Sequence, residues 1–407
     1  MKVNMNTKPV KLLSVLLFYL FTFSPLNAQL ARYRHDFTLN KTNFVDSIAI
    51  EWDNEQIFLP VDIDGKRYRF LFDTGAAQAV VYDDTPIAGT TSAGQIRSQD
   101  ATGATDTVQM VILPPLSLGN LTLTDCQATI QHRPVKGRNI DGIIGFSLIN
   151  NGLSAKIDVR NRLLILTDRK DFFNREQGFE TRYRLKYHVP YLEVKPFGKY
   201  REWTLFDTGS RRLYAINRGS LDLCASKAEG QMDSQVEGRS MGRHAIGHFA
   251  VEALHEVVFL NFSQLCVCDY TFSDLHTLTT QGESSLGAGM LNFGAVIFNP
   301  RKKRVRFQPY NQQSCVSVGN KQLDIAFVPE NDMPSVGLVW EQSEPYKLGF
   351  RQGDIITKID DTPIRSFTHF VTYSFIIGRE YVFTVKDARG FSREIRWMRL
   401  KNPNQRP

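Results

Sequence analysis

The pentapeptide Leu-Phe-Asp-Thr-Gly stands at residues 71–75 and returns, letter for letter, at residues 205–209. Each copy follows a stretch in which apolar and polar residues alternate around a glycine-containing turn, as in a β-hairpin whose second strand ends at the aspartate. The two aspartates, Asp73 and Asp207, are separated by about the length of one small domain. The repeat therefore predicts two related β-rich halves, each of which presents a carboxylate at a strand end.

The similarity between the halves continues beyond the pentapeptide. In the first half an apolar element with glycine follows at 141–146, and a closing hairpin at 157–166. The second half has a less regular apolar element at 286–291 and a hairpin at 296–307. The same order of parts indicates an internal duplication, and helical periodicity is scarce before residue 310. We therefore expect a mainly β fold, with the charged stretch 168–186 as an exposed connector.

Residues 1–28 have the pattern of a secretory signal peptide. A lysine-containing start precedes the apolar run Leu12 to Phe23, and small residues follow, with a cleavage position after Ala28. The run is too short to span a bilayer comfortably, so an uncleaved membrane anchor is the less favoured alternative. We predict an exported protein, periplasmic or secreted, that meets a membrane only through this segment if it stays uncleaved.

The charge balance does not favour a nucleic-acid partner. The formal net charge of the 407 residues is +7, and part of it belongs to the signal segment. The basic cluster at 301–306 coincides with a predicted hairpin turn and has no aromatic residues suited to base stacking. We therefore expect a solvated turn there and no nucleic-acid binding.

The five cysteines do not suggest a disulfide framework. Cys126, Cys224, Cys266, Cys268 and Cys315 are odd in number and widely spaced. An exported protein could form one disulfide, but the favoured interpretation is that the cysteines are buried as small apolar side chains. Cys266 and Cys268 have the wrong spacing for a zinc site and would share one face of a strand.

Two carboxylates held face to face have a defined chemistry. They repel each other when both are ionised, so the pair shares one proton. The ionised member can take a proton from water while the protonated member polarises a peptide carbonyl. A duplicated domain with approximate two-fold symmetry brings such a pair together. The glycines allow tight turns, and each threonine hydroxyl can brace the opposite loop. These features favour peptide hydrolysis over two unrelated structural turns.

Over residues 45–310 the chain resembles the pepsin/retropepsin-like aspartic peptidases. The motifs that carry the resemblance are 73–76, Asp-Thr-Gly-Ala, and 207–210, Asp-Thr-Gly-Ser, together with the apolar-Gly elements. The resemblance implies two pseudo-two-fold-related β-barrel lobes, at 29–172 and 173–310, and no metal or organic cofactor. It also implies that Asp73 and Asp207 are catalytic. The residues that would support their loops are Thr74, Gly75, Ala76, Thr208, Gly209 and Ser210.

The same resemblance implies a β-hairpin flap over a cleft, which we expect at 96–111. Its turn is predicted at Ala101, Thr102, Gly103 and Ala104. Two features depart from the family pattern: the flap has no tyrosine, and Arg211 and Arg212 follow the second motif where apolar residues are common. These arginines would either repel basic substrates or form a local ion pair. Ser210, which replaces the alanine of the first motif, could use its hydroxyl to lower the pKa of the carboxylate. We predict a pH optimum between acidic and neutral.

His244 and His248 have the spacing of a helical metal site. The glutamate that metalloproteases place between such histidines is absent, and the surrounding sequence is typical of strand and loop. We therefore expect a solvated loop and no metal site.

After a polar linker at 311–322, residues 323–401 resemble a PDZ domain of the bacterial protease-associated type. The motifs are 349–356, Gly-Phe-Arg-Gln-Gly-Asp-Ile-Ile, and 359–364. The resemblance implies capture of a peptide end along a strand near 324–328, although the carboxylate-binding loop is not recognisable. The alternative is a structural cap on the peptidase.

The sequence therefore predicts an exported aspartic endopeptidase that acts on peptides or proteins, with a possible peptide C-terminus bound at the PDZ-like domain. The alternative is a catalytically inactive peptide-binding protein that uses the cleft and the PDZ-like domain as docking sites.

Overall fold

A computed structural model describes residues 37–228 and 232–398. This part of the chain is mainly β and forms three sheets. The predicted signal peptide, 1–28, lies outside the described residues. No helix among the described residues has both the length and the apolar character needed to cross a membrane.

Between residues 38 and 145 the chain forms twelve strands. They are β1 (Thr38–Leu39), β2 (Val45–Ala49), β3 (Glu51–Asp53), β4 (Gln56–Ile63), β5 (Lys66–Asp73), β6 (Ala79–Tyr82), β7 (Thr91–Gln99), β8 (Thr105–Ile112), β9 (Leu116–Leu118), β10 (Leu121–Thr124), β11 (Gln127–Gln131) and β12 (Gly142–Gly145). All except β2 belong to the first sheet, whose order is β1-β10-β9-β4-β5-β12-β6-β11-β8-β7, with β3 paired to β4.

Fifteen strands follow in the described residues between 154 and 317. They are β13 (Ser154–Asp158), β14 (Leu163–Thr167), β15 (Phe179–Lys186), β16 (Val189–Lys195), β17 (Glu202–Asp207), β18 (Tyr214–Asn217), β19 (Val236–Gly242), β20 (His255–Phe262), β21 (Leu265–Val267), β22 (Tyr270–Ser273), β23 (Leu275–Thr280), β24 (Ser285–Gly287), β25 (Gly294–Asn299), β26 (Arg304–Pro309) and β27 (Cys315–Ser317). With β2 they form the second sheet, which therefore takes strands from both predicted halves. Its main order is β19-β20-β23-β18-β24-β17-β16-β15-β26-β25-β13-β14-β2.

A third sheet of six strands lies between residues 325 and 398. It contains β28 (Ile325–Glu330), β29 (Met333–Val339), β30 (Ile355–Ile359), β31 (Thr362–Pro363), β32 (Glu380–Lys386) and β33 (Ser392–Met398). Within the described ranges none of the three strand orders closes on itself, and the closed barrels implied by the family resemblance stay a prediction.

Helices are few and short in the described residues. The α-helices are α1 (Ser147–Asn150), α2 (Arg218–Lys227), α3 (Glu344–Leu348) and α4 (Phe367–Val371), and 3-10 turns span Asp233–Gln235 and Ala288–Asn292. Helix α2 begins at Asn217, whose side chain accepts hydrogen bonds from the amides of Gly219 and Ser220. This cap satisfies amides that the first helical turn cannot pair.

One apolar core joins the first two sheets. Phe298 of β25 packs its ring at 5.4 Å from those of Phe146, Tyr183 and Phe206. Phe146 follows the apolar element of the first half, whereas Phe206 directly precedes Asp207. The two repeated loops therefore rest on a shared aromatic core, and burial of such rings is among the largest favourable terms in folding.

Two connecting segments differ from their predicted form. The stretch 168–186 is largely exposed, but its last part is strand β15, which pairs with β16 and β26. The predicted linker, 311–322, contains strand β27, which pairs with β22. Strand β15 lies inside the second sheet, between β16 and β26, whereas β27 adds to β22; polar local composition does not reveal such tertiary pairing.

The cysteines also depart in part from expectation. All five are free thiols; Cys126, Cys224 and Cys268 are buried, whereas Cys315 is exposed. Cys266 lies in β21, but Cys268 occupies the following turn with a φ of 52°. The two therefore do not share a strand face.

Candidate active site

Strands β5 and β17 carry the repeated aspartates to equivalent places. Asp73 ends β5 opposite Gly145 of the parallel strand β12, and Asp207 ends β17 opposite Gly287 of β24. A Cβ atom on Gly145 would lie 2.6 Å from the Ala76 carbonyl oxygen, and one on Gly287 would lie 2.6 Å from that of Ser210. Only glycine fits there. The irregular apolar element of the second half thus has the same register as its partner.

The two threonines interlock the loops. Thr74 Oγ1 donates to the carbonyl oxygen of Phe206 at 2.7 Å, and Thr208 Oγ1 donates to that of Phe72 at 2.7 Å. Each hydroxyl also accepts the backbone amide of the other threonine at 3.0 Å. Both side chains are fully buried. Four reciprocal hydrogen bonds therefore hold the two halves in one relative position.

The glycines after the threonines bring the carboxylates together. A Cβ atom on Gly75 would lie 2.7 Å from Asp207 Oδ1, and one on Gly209 would lie 2.6 Å from Asp73 Oδ2. Each loop is thus in contact with the carboxylate of the opposite loop. The structure therefore places Asp73 and Asp207 side by side.

Backbone amides orient both carboxylates. Gly75 donates to Asp73 Oδ1 at 2.8 Å, and Gly209 donates to Asp207 Oδ1 at 2.9 Å. The Ser210 amide adds a longer bond of 3.3 Å to Asp207 Oδ1. It is thus this amide, and not the Ser210 hydroxyl that the sequence suggested, which reaches the carboxylate.

The pair is set to hold a proton. Burial, followed by the negative charge of Asp73 and the hydrogen bond to it, raises the pKa of Asp207 well above its usual range. Ionising both of two adjacent carboxylates in a partly dry site has a large free-energy cost. The physical arrangement therefore suits one shared proton, with the two titrations belonging to the pair.

A cleft of about 210 Å³ opens above the pair. Both aspartates line it, as do Gly209 and Ser210. Its other lining residues are Gln56, Leu71, Tyr82, Arg133, Pro134, Val135, Arg138, Ile140, Ile143, Ile246 and His248. Burial raises the pKa of Tyr82 to about 12, and burial lowers the pKa of His248. At neutral pH both side chains therefore enter the cleft uncharged.

The predicted flap is a hairpin of β7 and β8, with its turn at 100–104. Asp100 Oδ1 accepts the amides of Thr102 and Ala104, which holds the turn. Asp100 Oδ2 accepts the amide of Phe249 at 2.8 Å, and the Ala101 carbonyl lies against Gly282. The hairpin turn that contains Ala101, Thr102, Gly103 and Ala104 therefore contacts the second half through Asp100 and Ala101, close to the loop that carries Ile246 and His248.

The histidine segment differs from expectation. His244 is buried, not solvated, and its partners are Glu252 and His255, not His248. Burial, followed by the charge of Arg212, lowers the pKa of His244 to about 4. Contacts between loop residues that are distant in sequence account for this difference. Residues four positions apart share a face in a helix but not in a loop.

His244, Glu252 and His255 are close enough to hold a metal ion, with ligand atoms within 4.8 Å of one another. Glu252, however, already accepts four hydrogen bonds, from the amides of His244, Ala245 and Gln281 and from the Thr280 hydroxyl. An ion would have to displace at least one of them. The cluster as it stands clamps the loop that carries Ile246 and His248.

Most of the cleft wall has no recognisable signal in the sequence. Tyr82, Val135, Arg138, Ile246 and His248 come from three separate segments with no shared motif. Arg133 and Arg138 lie in a short loop rich in polar residues, which is typical of any surface turn. Only their position around the aspartate pair distinguishes them.

Residues 59–148 match a protein-family model described as "Aspartyl protease". This range contains Asp73 but not Asp207. No curated protein matches the chain. Among solved structures, basic 7S globulin from soybean is similar at 12% identity and a TM-score of 0.40, over 65% of this chain and 94% of that chain. The aspartic proteinase from Irpex lacteus has 11% identity and a TM-score of 0.41, over 65% and 97%. The sequence around the first aspartate is thus similar to the aspartyl protease family model.

Proposed function

We propose that this chain is an aspartic endopeptidase in which Asp73 and Asp207 activate a water molecule for attack on a peptide bond. The observation that carries the proposal is the contact of two carboxylates across interlocked loops, with each threonine bonded to the opposite half. The match of residues 59–148 to the aspartyl protease model supports the same chemistry.

In the proposed reaction Asp207 holds the shared proton and Asp73 is ionised. Asp73 takes a proton from water as the water oxygen bonds to the peptide carbonyl carbon, while Asp207 donates to the carbonyl oxygen. The C–N bond of the tetrahedral intermediate then breaks as Asp73 gives the proton it took from water to the amine nitrogen, and a hydroxyl proton of the intermediate returns to Asp207. The products are a carboxylic acid and an amine, and no bond requires a metal or an organic cofactor.

The test is the replacement of each aspartate in turn. Asp73→Asn and Asp207→Asn keep the size and the Oδ1 acceptor but cannot share a proton between two carboxyl groups. We expect kcat/KM for an unfolded protein or a peptide library to fall by roughly 10²–10⁴-fold or more in either variant. Pepstatin should inhibit the native chain.

Asp64→Asn is the matched control. Asp64 sits in the hairpin turn before β5 with a φ of 48°, a conformation that asparagine also tolerates, and we expect native activity. Undiminished turnover in Asp73→Asn or Asp207→Asn would refute the proposal and favour a peptide-binding protein without activity.

The raised pKa of Asp207 gives the sign of the pH dependence. As the pH rises through that pKa, the pair loses its shared proton and can no longer polarise the carbonyl. At low pH a second proton binds and removes the base. We expect a bell-shaped profile of kcat/KM with its optimum between acidic and neutral. A flat profile from about pH 4 to about pH 9 would contradict a shared-proton pair.

The proposal extends to the rest of the chain. We propose two pseudo-two-fold-related lobes, 29–172 and 173–310, a flap with its turn at 101–104, and a PDZ-like domain at 323–401. The edge strand β28 of the third sheet would be the place for a peptide end. Export to the periplasm or the exterior after removal of 1–28 completes the proposal.

A further inference from the structure

The cationic groups at the cleft differ in how far their charge is neutralised. Arg133 is fully engaged: its Nε donates to Asp84 Oδ2 at 2.9 Å, its guanidinium lies 4.1 Å from the Tyr82 ring centre, and a further nitrogen donates to the Ile140 carbonyl. Such an arginine keeps one orientation and has little charge left for a ligand. It shapes the cleft wall.

Arg138 lines the same cleft but makes no ion pair with any residue of 37–228 or 232–398. It follows Gly137, which packs against the third sheet's helix α4 at Thr368 and Thr372. The backbone that carries Arg138 is therefore supported from behind, while the guanidinium at the cleft keeps its donors for another partner.

Arg211 adds a second cation next to the Asp207 loop. Its Nη2 donates to the neutral amide oxygen of Gln56 at 2.9 Å, and within the described residues it too forms no ion pair. Burial, and then the charge of Arg138, lowers the pKa of Arg211 to about 10, and the charges of Glu55 and Asp53 oppose this shift. Gln56 lines the cleft together with Arg138, so its bond to Arg211 holds a second guanidinium at the margin of the cleft, and an anion bound there would be attracted to both cations.

Part of the remaining wall is apolar. Leu71, Val135, Ile143 and Ile246 line it, and His248 contributes no charge at neutral pH. A cleft with one cationic corner and apolar sides distinguishes peptides by the charge of a single side chain.

We propose that the cleft selects peptides that carry an aspartate or glutamate side chain close to the cleaved bond, with Arg138 as the specificity-determining residue and Arg211 as its support. This inference rests on the proposed endopeptidase function. A guanidinium can bind a carboxylate through two parallel hydrogen bonds, and the partly dry cleft strengthens them. A lysine at the same position would be repelled by both arginines.

The experiment uses peptides that are identical except at one position, which holds glutamate, glutamine or lysine, with that position moved along the peptide in successive sets. At one position we expect kcat/KM of the full chain to be roughly 10-fold or more higher for glutamate than for glutamine, and lower again for lysine. Arg138→Gln should bring the glutamate-to-glutamine ratio close to one. Arg138→Glu should reverse the order in favour of lysine.

Arg175→Gln is the matched control, because Arg175 is exposed and lies away from the cleft, and we expect it to keep the native ratio. A native chain that cleaves all three peptides equally at every position overturns the inference, as does an Arg138→Gln variant that retains the glutamate preference. Each variant is first checked for a native melting temperature.

Failure of the proposed function would look different. If the native chain cleaves no peptide, binding of the same peptides is measured by calorimetry. Tighter binding of the glutamate peptide, lost in Arg138→Gln, would support the anionic subsite without catalysis. Equal binding of the glutamate and glutamine peptides would overturn it.

Discussion

Thr74 and Thr208 show how one residue type serves two purposes. Each hydroxyl donates to a carbonyl and accepts an amide of the opposite half, and each side chain is fully buried. Buried backbone groups without partners are costly, so the same bonds that stabilise the junction also keep Asp73 and Asp207 in register. Stability and the geometry of the acid pair therefore depend on the same atoms.

Thr208→Val tests this link. Valine has nearly the same shape but leaves the Thr74 amide and the Phe72 carbonyl without their partner. We expect the free energy of unfolding to fall by about 2–5 kcal/mol, measured by urea denaturation, and kcat/KM to fall with it.

Thr208→Ser is the control for this change. It keeps the hydroxyl and loses one methyl group, at a cost of about 1 kcal/mol. If the valine variant proved as stable as the serine variant, the reciprocal hydrogen bonds would have no net role.

At the scale of elements, the position of the β7–β8 hairpin turn depends on a contact that the sequence of the hairpin does not predict. Asp100 reaches the amides of Phe249 and Ala250, 149 and 150 positions further along the chain. Gly247 lies directly against the Asp100 carboxylate, and a methyl group there would overlap it. The position of the hairpin turn is therefore decided by the loop that carries Ile246 and His248.

Gly247→Ala should displace the hairpin turn. Since several donors fix the Asp100 carboxylate, the overlap is relieved only if the two segments move apart. We expect faster deuterium uptake at 99–105 and kcat/KM lower by several-fold, because lids that close over a site position the substrate.

Ala253→Ser, which adds one atom at an exposed position of the same loop, should leave both quantities unchanged. Deuterium uptake at 99–105 that does not respond to Gly247→Ala would show that this contact does not hold the hairpin.

At the scale of the molecule, the third sheet is built onto the other two. Val135 of the cleft is buried in the same apolar cluster as Phe350 and Phe383 of the C-terminal unit. Trp340 packs its ring 5.6 Å from that of Phe259, and Arg243 pairs with Glu330 at 2.8 Å. The C-terminal unit thus supports one wall of the cleft, whether or not it binds a peptide.

Trp340→Ala should uncouple the C-terminal unit from the second sheet. Loss of a large, partly buried ring lowers the free energy of unfolding by about 3 kcal/mol. The Trp340 ring lies at the junction between the C-terminal unit and the second sheet. We expect calorimetry to resolve a separate, earlier transition and proteolysis to cut near residue 320.

Phe391→Ala removes a ring that is 68% exposed in the same unit and should leave a single transition. A single, unshifted transition in the Trp340 variant would mean that the units are joined by other contacts.

The sequence alone determined the features that depend on near neighbours. Strand alternation, turn residues and the repeated pentapeptide predicted the hairpins that end at Asp73 and Asp207, because pleat and turn preferences act over a few residues. The hairpin at 96–111 was predicted from the resemblance to the aspartic peptidases. The repeated motif indicates an internal duplication, and the duplication predicts that the two aspartates lie side by side.

Only the tertiary structure decided what surrounds that pair. The cleft wall at Val135, Arg138 and Ile246, the burial of His244, and the strands inside the predicted connector and linker all arise from contacts between distant segments. Such contacts leave no periodic pattern in the sequence, because two loop residues that pack against each other need only complementary shape and charge. The acid pair could therefore be predicted from the chain itself, whereas the side of the cleft that would choose a substrate could not.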